Sequence, residues 1–208
     1  MQVAYVKMHG TGNKILVVDQ RHQQRPPPAP SQLRELASDA TGPGFDQLMW
    51  VGVATDPAHK ASYRVFNADG SEVQQCGNGV RCVARLLANE TGLPEAFTLE
   101  SPAGPVSARV RDDGQVTVSM GAPEFEPANI PFLADQRALR YPLEVSGQHL
   151  EILAVSMGNP HCVLQVNDVG DAPVSTLSPL LEHHPRFPER CNVGFMQIRD
   201  RAQLDLRV

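Results

Sequence analysis

The chemistry in this chain is concentrated in Asn67-Ala-Asp-Gly-Ser-Glu-Val-Gln-Gln-Cys76-Gly-Asn-Gly-Val-Arg-Cys82. Cys76 stands immediately before a Gly-Asn-Gly turn, and that turn opens an apolar-periodic stretch, Val80 to Thr91, that reads as a helix. A thiol at a helix N-terminus lies in the positive end of the macrodipole, among backbone N–H groups that lack intrahelical partners. Both effects favour thiolate, so the spacing predicts a base or nucleophile at Cys76 working near neutral pH. The same N–H groups, those of Gly77 and Asn78 first, can hold a carboxylate. Basic sulfur beside a carboxylate cradle suits proton transfer at the α-carbon of an amino acid.

A lone cysteine is more often a small buried hydrophobe, and that reading fits the other three. Cys82 is flanked by Val83 and Ala84, and Cys162 and Cys191 lie in or beside strand patterns. The Cys76–Cys82 spacing matches no common zinc pattern and no paired histidines accompany it, so no metal is expected. His183-His184, before Pro185, reads as a solvated helix end. Two further turns carry polar groups, His9-Gly-Thr-Gly-Asn13 and Met157-Gly-Asn159-Pro-His161. Glycine there permits positive φ and close approach of backbone to a ligand, but neither turn alone specifies one.

The elements that must position these residues are mostly short strands. Val3–Lys7, Ile15–Asp19, Leu48–Val53, Tyr63–Phe66 and Phe97–Ser101 carry the pattern, followed by a hairpin of Val106–Val110 and Val116–Met120 around Asp112-Asp113-Gly114. Leu150–Val155, Cys162–Val166, Val193–Ile198 and Leu204–Val208 continue it. Three helices are expected. One is capped by Ser31, one follows Cys76 and ends at Gly92 and Pro94, and one starts with Ser178 as cap and Pro179 in its first turn. Arg25-Pro-Pro-Pro-Ala-Pro30 reads as a stiff spacer, and Gly121–Pro127 as a domain boundary.

Bulk composition narrows the classes. With 208 residues, 41% hydrophobic and 20% charged, the chain has material for one large or two small cores. A net charge of −5 gives no electrostatic case for nucleic acid or an anionic membrane. No signal-peptide pattern or bilayer-length apolar run is present. Four widely spaced cysteines fit a cytoplasmic protein with reduced thiols. Lys7, Lys14 and Lys60 are the only lysines and none lies in a cofactor motif, so no Schiff-base cofactor is suggested.

Taken together, these pieces resemble the diaminopimelate epimerase family, which is cofactor-independent. The matching segments are Lys7-Met-His-Gly-Thr-Gly-Asn13, Gly44-Phe-Asp-Gln47, Phe66-Asn67-Ala-Asp-Gly-Ser-Glu72, Cys76-Gly-Asn-Gly79 with Arg81-Cys82, Met157-Gly-Asn-Pro-His161 and Asn192-Val-Gly-Phe195. The resemblance implies interconversion of LL- and meso-diaminopimelate by two cysteines on opposite faces of the α-carbon, in lysine and cell-wall precursor synthesis. It implies that Cys76 is one catalytic thiol and that Asn13, Gln47, Asn67, Gly77, Asn78, Asn159 and Asn192 bind substrate, with His161 lining the same cleft. It further implies a small-molecule substrate, a homodimer, and an α/β (α+β) fold of two pseudo-symmetric halves. Each half is a curved, mostly antiparallel sheet around a central helix, here residues 1–119 and 120–208.

Two departures bear on these expectations. Lys14 and Ile15 follow Asn13 where the family has an Asp and an aromatic. The family's later cysteine, in a second Cys-Gly helix start, has no counterpart before Val208, and Cys162 and Cys191 do not substitute because neither precedes a glycine-rich helix start. The second half is therefore expected to lack its central helix, to expose an apolar sheet face, and to belong to a longer natural chain. Two other readings follow: a catalytically incomplete chain that binds only amino acid or a full-length partner, and a proline racemase-like enzyme of the same fold.

Overall fold

The computed structural model describes residues 3–91 and 96–208, and the chain divides into two units, Met1–Gly121 and Ala122–Val208. The sequence reading of Gly92 and Pro94 as a helix end lies outside the described residues.

The first unit is built on β1 (Val6–Gly10), β2 (Asn13–Asp19), β3 (Gln47–Gly52), β4 (Ala61–Asn67), β5 (Glu72–Val73), β6 (Phe97–Ser101), β7 (Gly104–Val110) and β8 (Val116–Ser119). Its sheet runs β1-β2-β3-β4-β6-β7-β8, with β5 paired to β4. Two helices, α1 (Pro30–Ala37) and α2 (Gly77–Thr91), cover its faces. The apolar runs Ile15-Leu-Val-Val18 and Leu48-Met-Trp-Val51 are continuous because both faces of β2 and β3 are covered. Ile15, Val17, Met49 and Val51 pack with Val80, Val83 and Leu87 of α2. Leu16, Val18, Leu48 and Trp50 pack with Leu33 of α1. At β7 the alternation returns, with Val106, Ala108 and Val110 buried and Ser107 and Arg109 exposed.

β1 lies three residues later than Val3–Lys7. The two-residue turn Thr11-Gly12, with φ of 51° and 92°, closes a hairpin that pairs Gly10 with Asn13 and sets the register. Positive φ at both turn positions is the type I′ geometry that matches strand twist. The Gly12 signal is thus spent on the hairpin.

The second unit has β9 (Tyr141–Val145), β10 (Gln148–Ser156), β11 (Pro160–Gln165), β12 (Asn192–Ile198) and β13 (Leu204–Arg207), ordered β13-β12-β11-β10-β9, with α3 (Val174–Glu182) crossing from β11 to the parallel β12. The order antiparallel pair, helix crossover, parallel strand, antiparallel strand occurs in β1-β2-α1-β3-β4 and again in β10-β11-α3-β12-β13. One sheet face packs with Ile130, Phe132, Leu181 and Phe187. Arg186 lies 4.4 Å from the Phe132 ring and donates to the carbonyls of Leu133 and Pro142, each at 2.7 Å. By register the opposite face carries Leu153, Val163, Met196, Ile198, Leu204 and Leu206, the last three 52, 57 and 58% exposed.

The helix boundaries needed correction. α3 begins at Val174 and contains Pro179, because Val174, Leu177 and Leu181 at helical spacing pack on the core; the buried Ser178 hydroxyl caps nothing. α1 starts at Pro30, where Gln32 Oε1 accepts from Ala29 N at 3.0 Å, so Ser31 is not its cap. α2 starts at Gly77 and not at Val80. β9 buries Tyr141, Leu143 and Val145 in alternation, but Pro142 within it argues against a strand on sequence grounds; the proline is tolerated because β9 is an edge strand.

The loop between β3 and β4 is held by Glu100 of β6, whose carboxylate accepts from Thr55 N at 2.8 Å and Asp56 N at 2.6 Å and meets His59 Nδ1 at 3.0 Å. The two backbone bonds and His59 push the Glu100 carboxyl down to about 2. A folded-state value below the unfolded one of 4.5 means this contribution is complete above pH 4.5 and is lost as pH falls toward about 2. Glu100→Gln is expected to speed amide hydrogen exchange at Thr55 and Asp56 at neutral pH. Unchanged protection of both would refute the clamp.

Candidate active site

Cys76 occupies the cap position of α2. Its carbonyl accepts from Val80 N at 2.9 Å, and its Sγ accepts from Gly79 N at 3.2 Å. The Gly-Asn-Gly segment is therefore the first helical turn itself, made possible by close packing. A Cβ on Gly79 would lie 2.2 Å from Met49 Sδ, and one on Gly10 would lie 2.9 Å from Asn78 Cβ. Met49 is fully buried in the core. Gly79→Ala gains about 1 kcal/mol of helix propensity but overpacks a filled site at a cost of about 1–3 kcal/mol, so the clash wins. The variant is expected to lower the urea midpoint and to pull Gly79 N off the sulfur. A midpoint at or above wild type would show that Met49 has room to move.

Beside the thiol lies a row of neutral amides, each from a different strand. Cys76 Sγ donates to Gln47 Oε1 at 2.6 Å, Asn13 Nδ2 donates to the same oxygen at 3.1 Å, and Gln47 Nε2 donates to Asn67 Oδ1 at 3.1 Å. Sheet register produces the row: Gln47 faces Asn67 across the β3–β4 ladder, and Asn13 opens β2, parallel to β3. Asn13, Gln47, Asn67 and Cys76 are thus brought together with the first turn of α2. The Asn78 side-chain oxygen is engaged elsewhere, by Arg81 and by Thr11 Oγ1, so the donors of that turn are its backbone N–H groups.

The protonation balance at Cys76 departs from the sequence reading. Burial is the largest influence and pushes the thiol up; the N–H groups of Gly79 and Asn78 and the charge of Arg81 pull it down without reversing the shift. A net rise replaces the expected thiolate preference, because a half-buried sulfur loses the water that would solvate its charge. Cys82, Cys162 and Cys191 are buried. Among the described residues no group of three His, Cys, Asp or Glu side chains converges as metal ligands would.

In the second unit Asn159, His161 and Asn192 gather at one sheet edge. His161 Nε2 lies 3.0 Å from Asn159 Oδ1, Asn192 Nδ2 donates to Pro160 O at 3.4 Å, and His161 and Asn192 are register partners on β11 and β12. Burial pushes the His161 imidazole below its ordinary value, which favours the neutral ring. These residues occupy the starts of two parallel strands, as Asn13 and Gln47 do in the first unit. Sequence reasoning missed Asp69 and Ser71, which continue the hydrogen bonds from Asn67 outward, with Asn67 Nδ2 on Ser71 Oγ at 3.2 Å and Ser71 Oγ on Asp69 Oδ1 at 2.5 Å. Their signal was present in the Asn-Ala-Asp-Gly-Ser-Glu run, where alternating short polar side chains around a glycine imply local side-chain bonding.

Comparison with known proteins identifies the family of this chain. The diaminopimelate epimerase family profile matches residues 5–126 and 153–208. The diaminopimelate epimerase of Pseudomonas entomophila (strain L48) is 50% identical over 209 residues, covering 100% of this chain and 75% of that protein. That of Ectopseudomonas mendocina (strain ymp) is 49% identical with the same coverage. Among solved structures, a hydroxyproline epimerase from Agrobacterium vitis aligns with a TM-score of 0.67 at 16% identity, over 97% of this chain and 68% of that one. A phenazine biosynthesis protein from Bacillus anthracis aligns with a TM-score of 0.58 at 15% identity, over 100% and 72%. These two share the fold, whereas sequence identity of this extent across the whole chain separates one branch from the proline racemase-like reading. The chain belongs to the diaminopimelate epimerase family of isomerases.

Proposed function

We propose that this chain interconverts LL- and meso-diaminopimelate, with Cys76 carrying the α-proton on one face of the substrate carbon. The observation that carries the reading is the half-buried Cys76 thiol at the start of α2, beside the amides of Asn13, Gln47 and Asn67. As thiolate, Cys76 takes the α-proton and leaves the electron pair on the carbon, conjugated with the carboxylate. Inversion then requires a proton delivered to the opposite face by a second thiol, a role the buried Cys82, Cys162 and Cys191 do not fill, and the reverse reaction exchanges the two roles. The N–H groups of Gly77 and Asn78 hold the carboxylate as charge develops, where fixed dipoles act most strongly. Neutral amides orient a zwitterion without altering its charges. Asn13, Gln47 and Asn67 present such amides in the first unit, and Asn159 and Asn192, with His161 beside them, present amides of the same kind in the second. Residues 1–119 and 120–208 act as the two epimerase halves, in a cytoplasmic homodimer that supplies lysine and peptidoglycan precursors.

The test is substrate incubated in heavy water, scoring α-deuterium incorporation and inversion separately. Incorporation with inversion supports the two-thiol reading. Absence of incorporation overturns it. A second reading is favoured by the burial of Cys82, Cys162 and Cys191, since none of these offers a substrate its second thiol. Incorporation with retention would mean that Cys76 acts alone, without a second thiol.

A further inference from the structure

Asn67-Ala-Asp-Gly-Ser-Glu72 contributes more to this site than the Asn67 amide. The links from Asp69 to Cys76 admit one direction only. A carboxylate has acceptors and no donor, so the Ser71 hydroxyl gives its hydrogen to Asp69 Oδ1 at 2.5 Å. Ser71 Oγ must then accept from Asn67 Nδ2 at 3.2 Å, which turns Asn67 Oδ1 toward Gln47. Gln47 Nε2 must donate to that oxygen at 3.1 Å, which turns Gln47 Oε1 toward Cys76. That oxygen receives the thiol at 2.6 Å and Asn13 Nδ2 at 3.1 Å. The far end of the chain is held firmly. Asn67 N donates to Ser71 O at 2.8 Å, Gly70 N to Asn67 O at 2.9 Å, and Arg34 of α1 to the Asp69 carbonyl at 3.1 Å.

We infer that Asp69 and Ser71 are positioning residues that fix the Gln47 amide with its oxygen on Cys76, so that the sulfur keeps its proton until substrate arrives. An acceptor 2.6 Å from the sulfur has a hydrogen to share only while the thiol is protonated, and it opposes the negative charge of a thiolate. Gly79 N, at 3.2 Å on the same sulfur, opposes it by favouring thiolate. If the Gln47 amide could turn over, Nε2 would face the sulfur and join the helix N–H groups in favouring thiolate. The chain to Asp69 prevents that rotation. A sulfur between the N–H donors of the helix start and one locked acceptor keeps a partner in either protonation state, which a group that must both give and take a proton needs.

This inference rests on the reading of Cys76 as the proton-carrying thiol, but its test needs no substrate, so the two can fail separately. The probe is iodoacetamide, with alkylation of Cys76 followed by mass across pH; the other three cysteines are buried. Ser71→Ala removes the link and is expected to lower the alkylation midpoint by about one unit, the size of shift that follows from moving one hydrogen bond between the two forms. Ser71→Thr keeps the hydroxyl and is expected to restore the wild-type midpoint. Glu72→Gln disturbs the same turn by breaking the pair with Arg64, yet lies outside the chain and is expected to leave the midpoint in place. A wild-type midpoint in Ser71→Ala overturns the inference, as does a Ser71→Thr midpoint equal to that of Ser71→Ala.

Discussion

Cys76→Ala is expected to slow α-hydrogen exchange into diaminopimelate by about 100- to 10,000-fold, the range supplied by a positioned general acid or base. No nearby group can replace the sulfur. Gln47, Asn13 and Asn67 are amides with no basic lone pair suited to a carbon acid, and the nearest other thiol in sequence, Cys82, is buried in the core of the first unit. Cys76→Ser is a sharper version of the same test. A hydroxyl keeps the bond to Gln47 and fills nearly the same space, yet it is far less acidic than a thiol and stays protonated. Its exchange rate should fall almost as far while substrate affinity changes little. Deuterium incorporation followed by proton NMR, alongside a binding measurement, separates the two effects. Wild-type exchange in either variant would remove Cys76 from the chemistry.

Leu87→Ala is expected to destabilise the first unit by about 2–5 kcal/mol, the range for a large-to-small change in a filled core. Leu87 is 1% exposed and shares its helix face with Val80 and Val83, packed against the inner faces of β2, β3 and β4. Removing its branched end leaves a void under the helix that carries Cys76 at its start. The urea midpoint should fall with an unchanged slope, since the surface exposed on unfolding is nearly the same. Leu139, 91% exposed, provides the contrast: Leu139→Ala should stay within about 0.5 kcal/mol of wild type. Equal effects from the two substitutions would contradict the packing described for α2.

How much of this was legible depended on how local the determining physics is. β2, β3 and the helix after Cys76 declared themselves through runs and periodicities, because burial on two faces or on one stripe leaves a direct mark on residue type. Gln47 and Asn67 could be named from motif similarity, but their facing each other is a matter of register between β3 and β4, which no local spacing encodes. β9 was hidden by Pro142 and the start of α3 by Ser178-Pro179. In both cases a local signal was outweighed by contacts made far along the chain. The Cys76 thiol shows the same limit in electrostatic form. The dipole argument identified real contributors, the N–H groups of Gly79 and Asn78, but burial, a tertiary quantity, decided the sign. Asp69 and Ser71 stand in a motif that shows short polar side chains but not the partners they bond, which depend on how the turn folds back on Asn67.

The repeated order of elements means that two separate sheets obey one wiring rule. A hairpin, a helical crossover and two further strands occur once ahead of Cys76 and again from Gln148 onward, and in both places polar side chains stand at the starts of the parallel strands. A parallel pair needs a crossover that carries the chain back to the end from which it set out, so both strand starts open at one mouth of the sheet. An amide placed at either start therefore meets its neighbour with no further adjustment of the backbone.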